Sequence, residues 1–87
     1  MRAAATPAPG AEERLSVLTA RERDVPTLVG RGRSSREIGQ ELHLSPETAR
    51  THVGRVLAEL GARDRVGLVV IAHETGLVRP GDASDHF

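Results

Sequence analysis

Apolar and polar residues repeat with a helical period from about residue 15 to residue 79, and no stretch alternates as a strand does. Apolar residues three or four positions apart predict helices over about residues 20–30, 35–42, 46–60 and 65–75. The stretches between them are short, so consecutive helices pack against each other. The pattern therefore predicts an all-α domain of four helices.

Local start signals support these helices. Residues 19–22 and 34–37 have the Ser/Thr-x-x-Glu pattern of a capping box, in which two side chains bond free amides of the first turn. At residues 45–47 a serine cap precedes a proline in the first helical position, where its missing N–H is harmless. Asp64 is the expected cap of the fourth helix. Pro26 lies past the first turn of the first helix, so we expect a kink or a restart there.

The second and third predicted helices are joined by a short turn at His43 and Leu44, which is a helix-turn-helix arrangement. In such units the second helix enters the major groove of DNA. One face of the third predicted helix is apolar, and it comprises Ala49, Val53, Val56, Leu57 and Leu60. At about 100° per residue, the opposite face carries Glu47, Arg50, Thr51, Gly54 and Ala58, flanked by Thr48, His52 and Arg55.

The polar face supplies candidate DNA contacts. Arg50 can pair with a guanine edge, Thr51 can hydrogen-bond or contact a thymine methyl, and Arg55 can reach a base or a phosphate. The residues near helix starts, where phosphate contacts are expected, are Ser34, Arg36, Ser45 and Thr48. Taken singly, each of these residues is explained as a helix cap or a solvated surface residue. Taken together with the turn, they favour binding of duplex DNA.

The fourth predicted helix is apolar on two sides, which indicates that both sides are covered. One stripe comprises Val66, Val69 and Val70, and the other comprises Leu68, Ile71 and Ala72. We expect Leu68, Ile71 and Ala72 to form the interface with a second copy of the chain. The alternative is that Leu68 and Ile71 cover the chain's own first helix or linker.

The charge and aromatic content of the chain limit the kinds of nucleic acid that it is expected to bind. The 87 residues carry 12 acidic and 12 basic side chains, so global charge does not indicate nucleic acid. Between Arg31 and Arg65, however, 7 arginines stand against 5 acids. The single aromatic residue leaves an aliphatic core and argues against stacking of single-stranded bases.

No catalytic, metal or cofactor site is expected. The absence of cysteine excludes disulfides, thiolate metal sites and cysteine nucleophiles. His43 and His52 lie nine positions apart across a turn, without a carboxylate at ligand spacing, and the serines are accounted for as helix caps. The apolar run at 68–72 is too short to span a bilayer. We expect a cytoplasmic protein with a flexible arm or linker over residues 1–14 and a disordered tail over residues 82–87.

Four motifs occur in the order and register of a known family: LTARERDV, SSREIGQEL, LSPETARTHV and LGARDR. Over about residues 15–79 the chain resembles the LuxR-type DNA-binding domain found in NarL- and FixJ-like response regulators and in quorum-sensing regulators. The resemblance implies a four-helix domain, here residues 15–81, that regulates transcription as the output domain of a two-component system. It also implies binding of duplex DNA as a dimer, with the third helix in the major groove and the fourth helix at the dimer contact.

The resemblance also bears on individual positions. Arg50 stands where the family often has a base-contacting lysine, and Thr51 matches the next groove-facing position. Gly54 stands where some members carry a long basic side chain, so one contact is lost. Thr48 and His52 match positions that flank the phosphates. The departures from the usual pattern at core positions are Pro26, Gly39 and Ala49.

A second function fits the same shape. Sigma-factor C-terminal domains have a similar helix-turn-helix and also contact RNA polymerase, so a domain of this kind could serve as a protein-interaction module. The neutral charge of the whole chain favours this alternative. Phosphate contacts impose a steep salt dependence on DNA binding, so the salt dependence separates the two functions.

Overall fold

The computed structural model describes residues 10–79, and within that range the chain is helical without strands. The five helices are α1 (Ala11–Leu15), α2 (Asp24–Gly30), α3 (Ser35–Leu42), α4 (Pro46–Leu60) and α5 (Arg65–Glu74). The predicted all-α class is confirmed, and the four predicted helices correspond to α2 through α5. Over residues 10–79, no helix has the length and apolar content that a membrane crossing requires.

Helix α1 corrects the prediction of a flexible arm over residues 1–14. Residues 11–14 are helical, and Ala11 and Leu15, one turn apart, are both buried. Two ion pairs join α1 to the rest of the domain: Glu12–Arg23 at 3.3 Å and Arg14–Glu74 at 3.4 Å. The remainder of the predicted arm, residues 1–9, and the predicted tail, residues 82–87, lie outside the described range.

The entry into α2 shows how the chain accommodates Pro26. The predicted capping box forms, with the Glu22 amide donating to Thr19 Oγ1 at 3.1 Å and the Thr19 amide donating to Glu22 Oε1 at 2.9 Å. The Val25 amide then bonds the Glu22 carbonyl at 3.2 Å, a tighter step than an α-helical turn. The α-helix begins only at Asp24, which places Pro26 in its first turn, where no amide donor is needed. The helix therefore begins at Asp24 rather than at about residue 20 as predicted, and turns take the place of the expected kink or restart at Pro26.

Helices α3 and α4 form the helix-turn-helix. Ser34 caps α3 through a complete capping box, and Ser45 caps α4. Between them His43 adopts a left-handed conformation with φ 61°. A Cβ atom at Gly39 would lie 2.5 Å from the Leu44 carbonyl oxygen. The small residue at position 39 thus makes room for the backbone of the turn.

All five helices contribute buried residues to the core, and α5 packs along α2. Gly30 sits at their closest approach, where a Cβ atom would lie 2.7 Å from Val78 Cγ2 and 2.8 Å from Ala72 Cβ. The left-handed glycine after α2 is Gly32, with φ 86°. Gly30 is therefore needed for close packing of α2 against α5. Gly32, and not Gly30, adopts the left-handed conformation that follows the end of α2.

The residues predicted to form the dimer interface, on the fourth predicted helix (α5 in the structure), need a correction. Leu68, Ile71 and Ala72 are 0%, 7% and 0% exposed, because this face of α5 packs into the chain's own core. They are therefore covered within one copy, as the alternative assignment had it. The opposite face of α5 is the open one, with Val66 71% exposed and Val70 49% exposed.

Candidate nucleic-acid interface

Helix α4 is fixed at both ends and along one face. Ser45 Oγ accepts from the Thr48 amide at 3.1 Å at its start, and Gly61 ends it in a left-handed conformation with φ 70°. Ala49, Val53 and Val56 are buried beneath it. The other side of the helix is therefore directed away from the core, and its exposed residues include Glu47, Arg50, Thr51, Gly54, Arg55 and Ala58.

The two arginines of this face are available to a ligand. Arg50 and Arg55 are both exposed, and the ion pairs found among residues 10–79 involve neither of them. Five positions apart on a helix, they point in directions about 140° from each other. Arg55 therefore lies about 40° from Thr51, near the centre of the exposed face. Arg50 lies about 100° from Thr51 on its other side, towards Leu57.

Thr51 is more restricted than its sequence suggests. Its hydroxyl donates to the Glu47 carbonyl oxygen one turn earlier, at 3.1 Å. A threonine hydroxyl has one proton to donate, so that proton is occupied within the helix. This exposed side chain therefore offers a ligand its methyl group and an acceptor oxygen, but no hydrogen-bond donor.

The candidate phosphate contacts fall into two groups. Ser34, Arg36, Ser45 and Thr48 are exposed at the starts of α3 and α4, and Ser45 Oγ also donates to Thr48 Oγ1 at 2.9 Å. His52 is half-buried, and it lines a depression of about 200 Å³ between α4 and the approach to α2. The two serines, Arg36 and Thr48 thus lie at the helix starts, whereas His52 lies away from them, further along α4.

Most of the acids between residues 31 and 65 are engaged within the domain, whereas most of the arginines are not. Of the five acids between Arg31 and Arg65, Glu37 and Asp64 cap helices and Glu41 pairs with Arg33 at 3.2 Å. Two glutamates of α4, Glu47 and Glu59, remain. Against them stand the arginines for which no ion pair is found within residues 10–79: Arg31, Arg36, Arg50, Arg55, Arg63 and Arg65.

Arg65 makes a contact that sequence reasoning missed. It is the first residue of α5, yet its Nη2 donates to the main-chain carbonyl oxygen of Arg33, in the loop before α3. The two residues lie 32 positions apart, so no local pattern could have indicated the bond. Over the described part of the chain, no group of three or more acidic, histidine or cysteine side chains could hold a metal ion.

This geometry agrees with the comparison with known families. The model of a family described as bacterial regulatory proteins, luxR family, matches residues 16–72. The chain belongs to the luxR family of bacterial regulatory proteins. The resemblance to a LuxR-type helix-turn-helix DNA-binding domain is thereby confirmed, and α3 and α4 lie wholly within the matched residues.

Several bacterial regulators are similar to this luxR-family chain. Transcriptional activator protein SolR of Ralstonia solanacearum is 46% identical over 63 residues, which cover 72% of this chain and 27% of SolR. Transcriptional regulatory protein LiaR of Bacillus subtilis is 38% identical over 61 residues, which cover 70% of this chain and 29% of LiaR. Response regulator protein VraR of Staphylococcus aureus is 33% identical over 67 residues, 77% of this chain and 32% of VraR. The chain thus spans less than a third of each of these relatives.

Proposed function

We propose that this luxR-family domain binds duplex DNA sequence-specifically, with α4 in the major groove, as the output domain of a transcriptional regulator. The observation that carries the proposal is the exposed face of α4, where Arg50 has no ion pair among the described residues. The core holds that face rigidly outward. The names of the relatives, a transcriptional activator, a transcriptional regulatory protein and a response regulator, support the regulatory role. A two-component, cytoplasmic setting is part of the same proposal.

Base recognition rests on few side chains. Arg50 is proposed to donate to O6 and N7 of a guanine, the commonest specific contact in the major groove. The Thr51 methyl is proposed to contact the methyl group of a thymine. Gly54 and Ala58 cannot hydrogen-bond a base through a side chain, and Arg55 reaches a base or a phosphate. Because each well-made contact discriminates by only about 1–3 kcal/mol, a single copy is expected to bind weakly.

Phosphate contacts are proposed at the two helix starts. Ser34 and Arg36 at α3, and Ser45 and Thr48 at α4, surround free backbone amides and the positive ends of the helix dipoles. Such contacts fix the register of the domain on the duplex without reading its sequence. His52 is proposed to contribute from the flank, through the part of its ring that remains exposed.

A second copy is proposed to pair through the open face of α5. Val66 and Val70 are exposed, and half-buried Val69 lies on the same side, three positions after Val66. This aliphatic face replaces the buried residues first assigned to the interface. Two paired copies would occupy half-sites about one helical turn of DNA apart. RNA polymerase is a further candidate partner of the assembled dimer.

Selection from random duplexes, followed by footprinting, tests the proposal. The binding constant of the selected site is then compared for the parent chain, Arg50→Ala and the control Arg14→Ala, which removes the same charge from α1. We expect Arg50→Ala to lose about 1–3 kcal/mol of specific binding. Arg14→Ala should bind like the parent, since its exposed ion pair with Glu74 contributes little to stability.

Two results would contradict the DNA-reading assignment. One is equal affinity of Arg50→Ala and Arg14→Ala for the selected site. The other is an affinity that hardly changes between about 50 and 200 mM salt, whereas several phosphate contacts impose a steep decline. The second result would favour the protein-interaction module instead.

A further inference from the structure

Arg65 occupies an unfavourable place for the stability of its own helix. It is the first residue of α5, and a cation in the first turn opposes the helix dipole. Asp64, the cap, directs Oδ1 to the Gly67 amide at 2.9 Å rather than to this guanidinium. Arg65 is half-buried, and its head group reaches out of α5 to the Arg33 carbonyl oxygen. Its hydrogen bond therefore stabilises the loop before α3 rather than the start of α5.

That loop is held at several of its atoms. The Arg33 amide donates to the Leu28 carbonyl at 3.0 Å, and its side chain bonds Glu41 at 3.2 Å and the Arg31 carbonyl at 3.3 Å. With Arg65 on its carbonyl, the main-chain donor, the main-chain acceptor and the side chain of Arg33 are all engaged. The next residue is Ser34, the cap of α3. The position of the start of α3 therefore depends on a residue of α5.

We propose that Arg65 is a positioning residue for DNA binding. By holding the Arg33 carbonyl, it places Ser34 and the first turn of α3 where they meet a phosphate while α4 lies in the groove. The inference rests on the proposed function. It also connects α5, whose neighbouring Val66 is proposed to face a second copy, to the phosphate contact at α3.

The test uses the full chain, the duplex selected by the parent, and three variants. Arg65→Met removes the donors and keeps an apolar stem, and Arg65→Lys keeps the charge and a donor. Arg63→Met is the matched control, because Arg63 is exposed two positions earlier, in the loop before α5, and has no hydrogen bond or ion pair described within residues 10–79. Dissociation constants are measured across a salt series at a temperature where circular dichroism shows each variant folded.

A positioning role predicts a change in the salt series that loss of stability alone does not produce. For Arg65→Met the slope of log K against log salt should become shallower by up to about 0.9, the value for one lost arginine–phosphate contact on duplex DNA, here that of Arg36 in the first turn of α3. Its affinity should fall about tenfold, the loss expected for one hydrogen bond to a charged group. Arg65→Lys should restore most of the affinity, and Arg63→Met should keep the slope of the parent. Adding Ser34→Ala to Arg65→Met should weaken binding no further, since both changes remove the same contact.

Several outcomes would overturn the inference. One is a folded Arg65→Met variant with the slope and affinity of the parent, even if its melting temperature has fallen. Another is an equal change of slope in Arg63→Met. If Arg65→Met does not fold, amide spectra of the parent chain decide: the Ser34 and Arg36 amide resonances must move when the duplex is added, and resonances that do not move would reject the role. A parent chain that selects no duplex would reject the proposed function itself, and the inference with it.

Discussion

Gly30 and Gly54 are both helical glycines, and the structure predicts opposite effects when a methyl group is added to each. At Gly54, in the middle of α4, a Cβ atom would meet no atom within 4 Å. At Gly30, the last residue of α2, it would lie 2.7 Å from Val78 Cγ2 and 2.8 Å from Ala72 Cβ. The same substitution thus separates helix propensity from packing.

The magnitudes follow from these surroundings. Gly54→Ala should stabilise the domain by about 1 kcal/mol, the difference in propensity between glycine and alanine inside a helix. Gly30→Ala gains less propensity at a helix end, and it overfills the α2–α5 contact at a typical cost of 1–3 kcal/mol. We expect a net destabilisation of about 1–2 kcal/mol. For a domain of this size, 1 kcal/mol corresponds to about 4–8 °C in melting temperature.

Urea unfolding followed by far-ultraviolet circular dichroism is the suitable assay, because the chain has neither Trp nor Tyr for fluorescence. The midpoint should rise for Gly54→Ala and fall for Gly30→Ala, with similar slopes in the transition. A Gly30→Ala variant as stable as Gly54→Ala would refute the close packing of α2 on α5. A destabilised Gly54→Ala would show that the middle of α4 is not open.

Three further predictions concern single surface positions. Val66→Glu should abolish self-association in analytical ultracentrifugation, because it places a charge in the proposed α5 pairing face. Val17→Glu, an equal change at an exposed valine outside α5, should leave association unchanged. Replacing the contacted thymine by uracil should cost the parent chain about 0.8 kcal/mol, the value of one buried methyl. Thr51→Val should show the same loss, whereas a Thr51→Ser variant that still distinguished the two bases would place recognition elsewhere. His43→Gly should raise stability by up to about 1 kcal/mol, since φ 61° is strained for a residue with a Cβ, and an unchanged urea midpoint would deny that strain.

What the sequence predicted well is local. The capping boxes at 19–22 and 34–37 and the Ser-Pro-Glu start at 45–47 involve neighbours in the chain, and all three form as expected. The buried face of α4, with Ala49 and Val53, follows from helical period alone. The helix-turn-helix could be recognised for this reason, since its boundaries and its inner face are both encoded nearby.

What the sequence missed depends on distant contacts. Both stripes of α5 are apolar, so periodicity could not decide whether Leu68 or Val66 faces inward, and packing on α2 decides it. Helix α1 was overlooked because Ala11 and Leu15 gain their burial only from elements that come later in the chain. The Arg65 contact has the same origin, across 32 positions. The sequence likewise could not show that the Thr51 hydroxyl donates to the Glu47 carbonyl oxygen.

The central claim is that Arg50 reads a guanine in the major groove, and one substitution in the DNA tests it most directly. Replacing the contacted guanine by 7-deazaguanine removes the N7 acceptor and leaves base pairing intact. The parent chain should bind the modified duplex about 1–2 kcal/mol more weakly, the cost of one hydrogen bond from a charged group. Arg50→Ala should bind the two duplexes equally. Equal binding of both duplexes by the parent at every guanine of the selected site would contradict the claim.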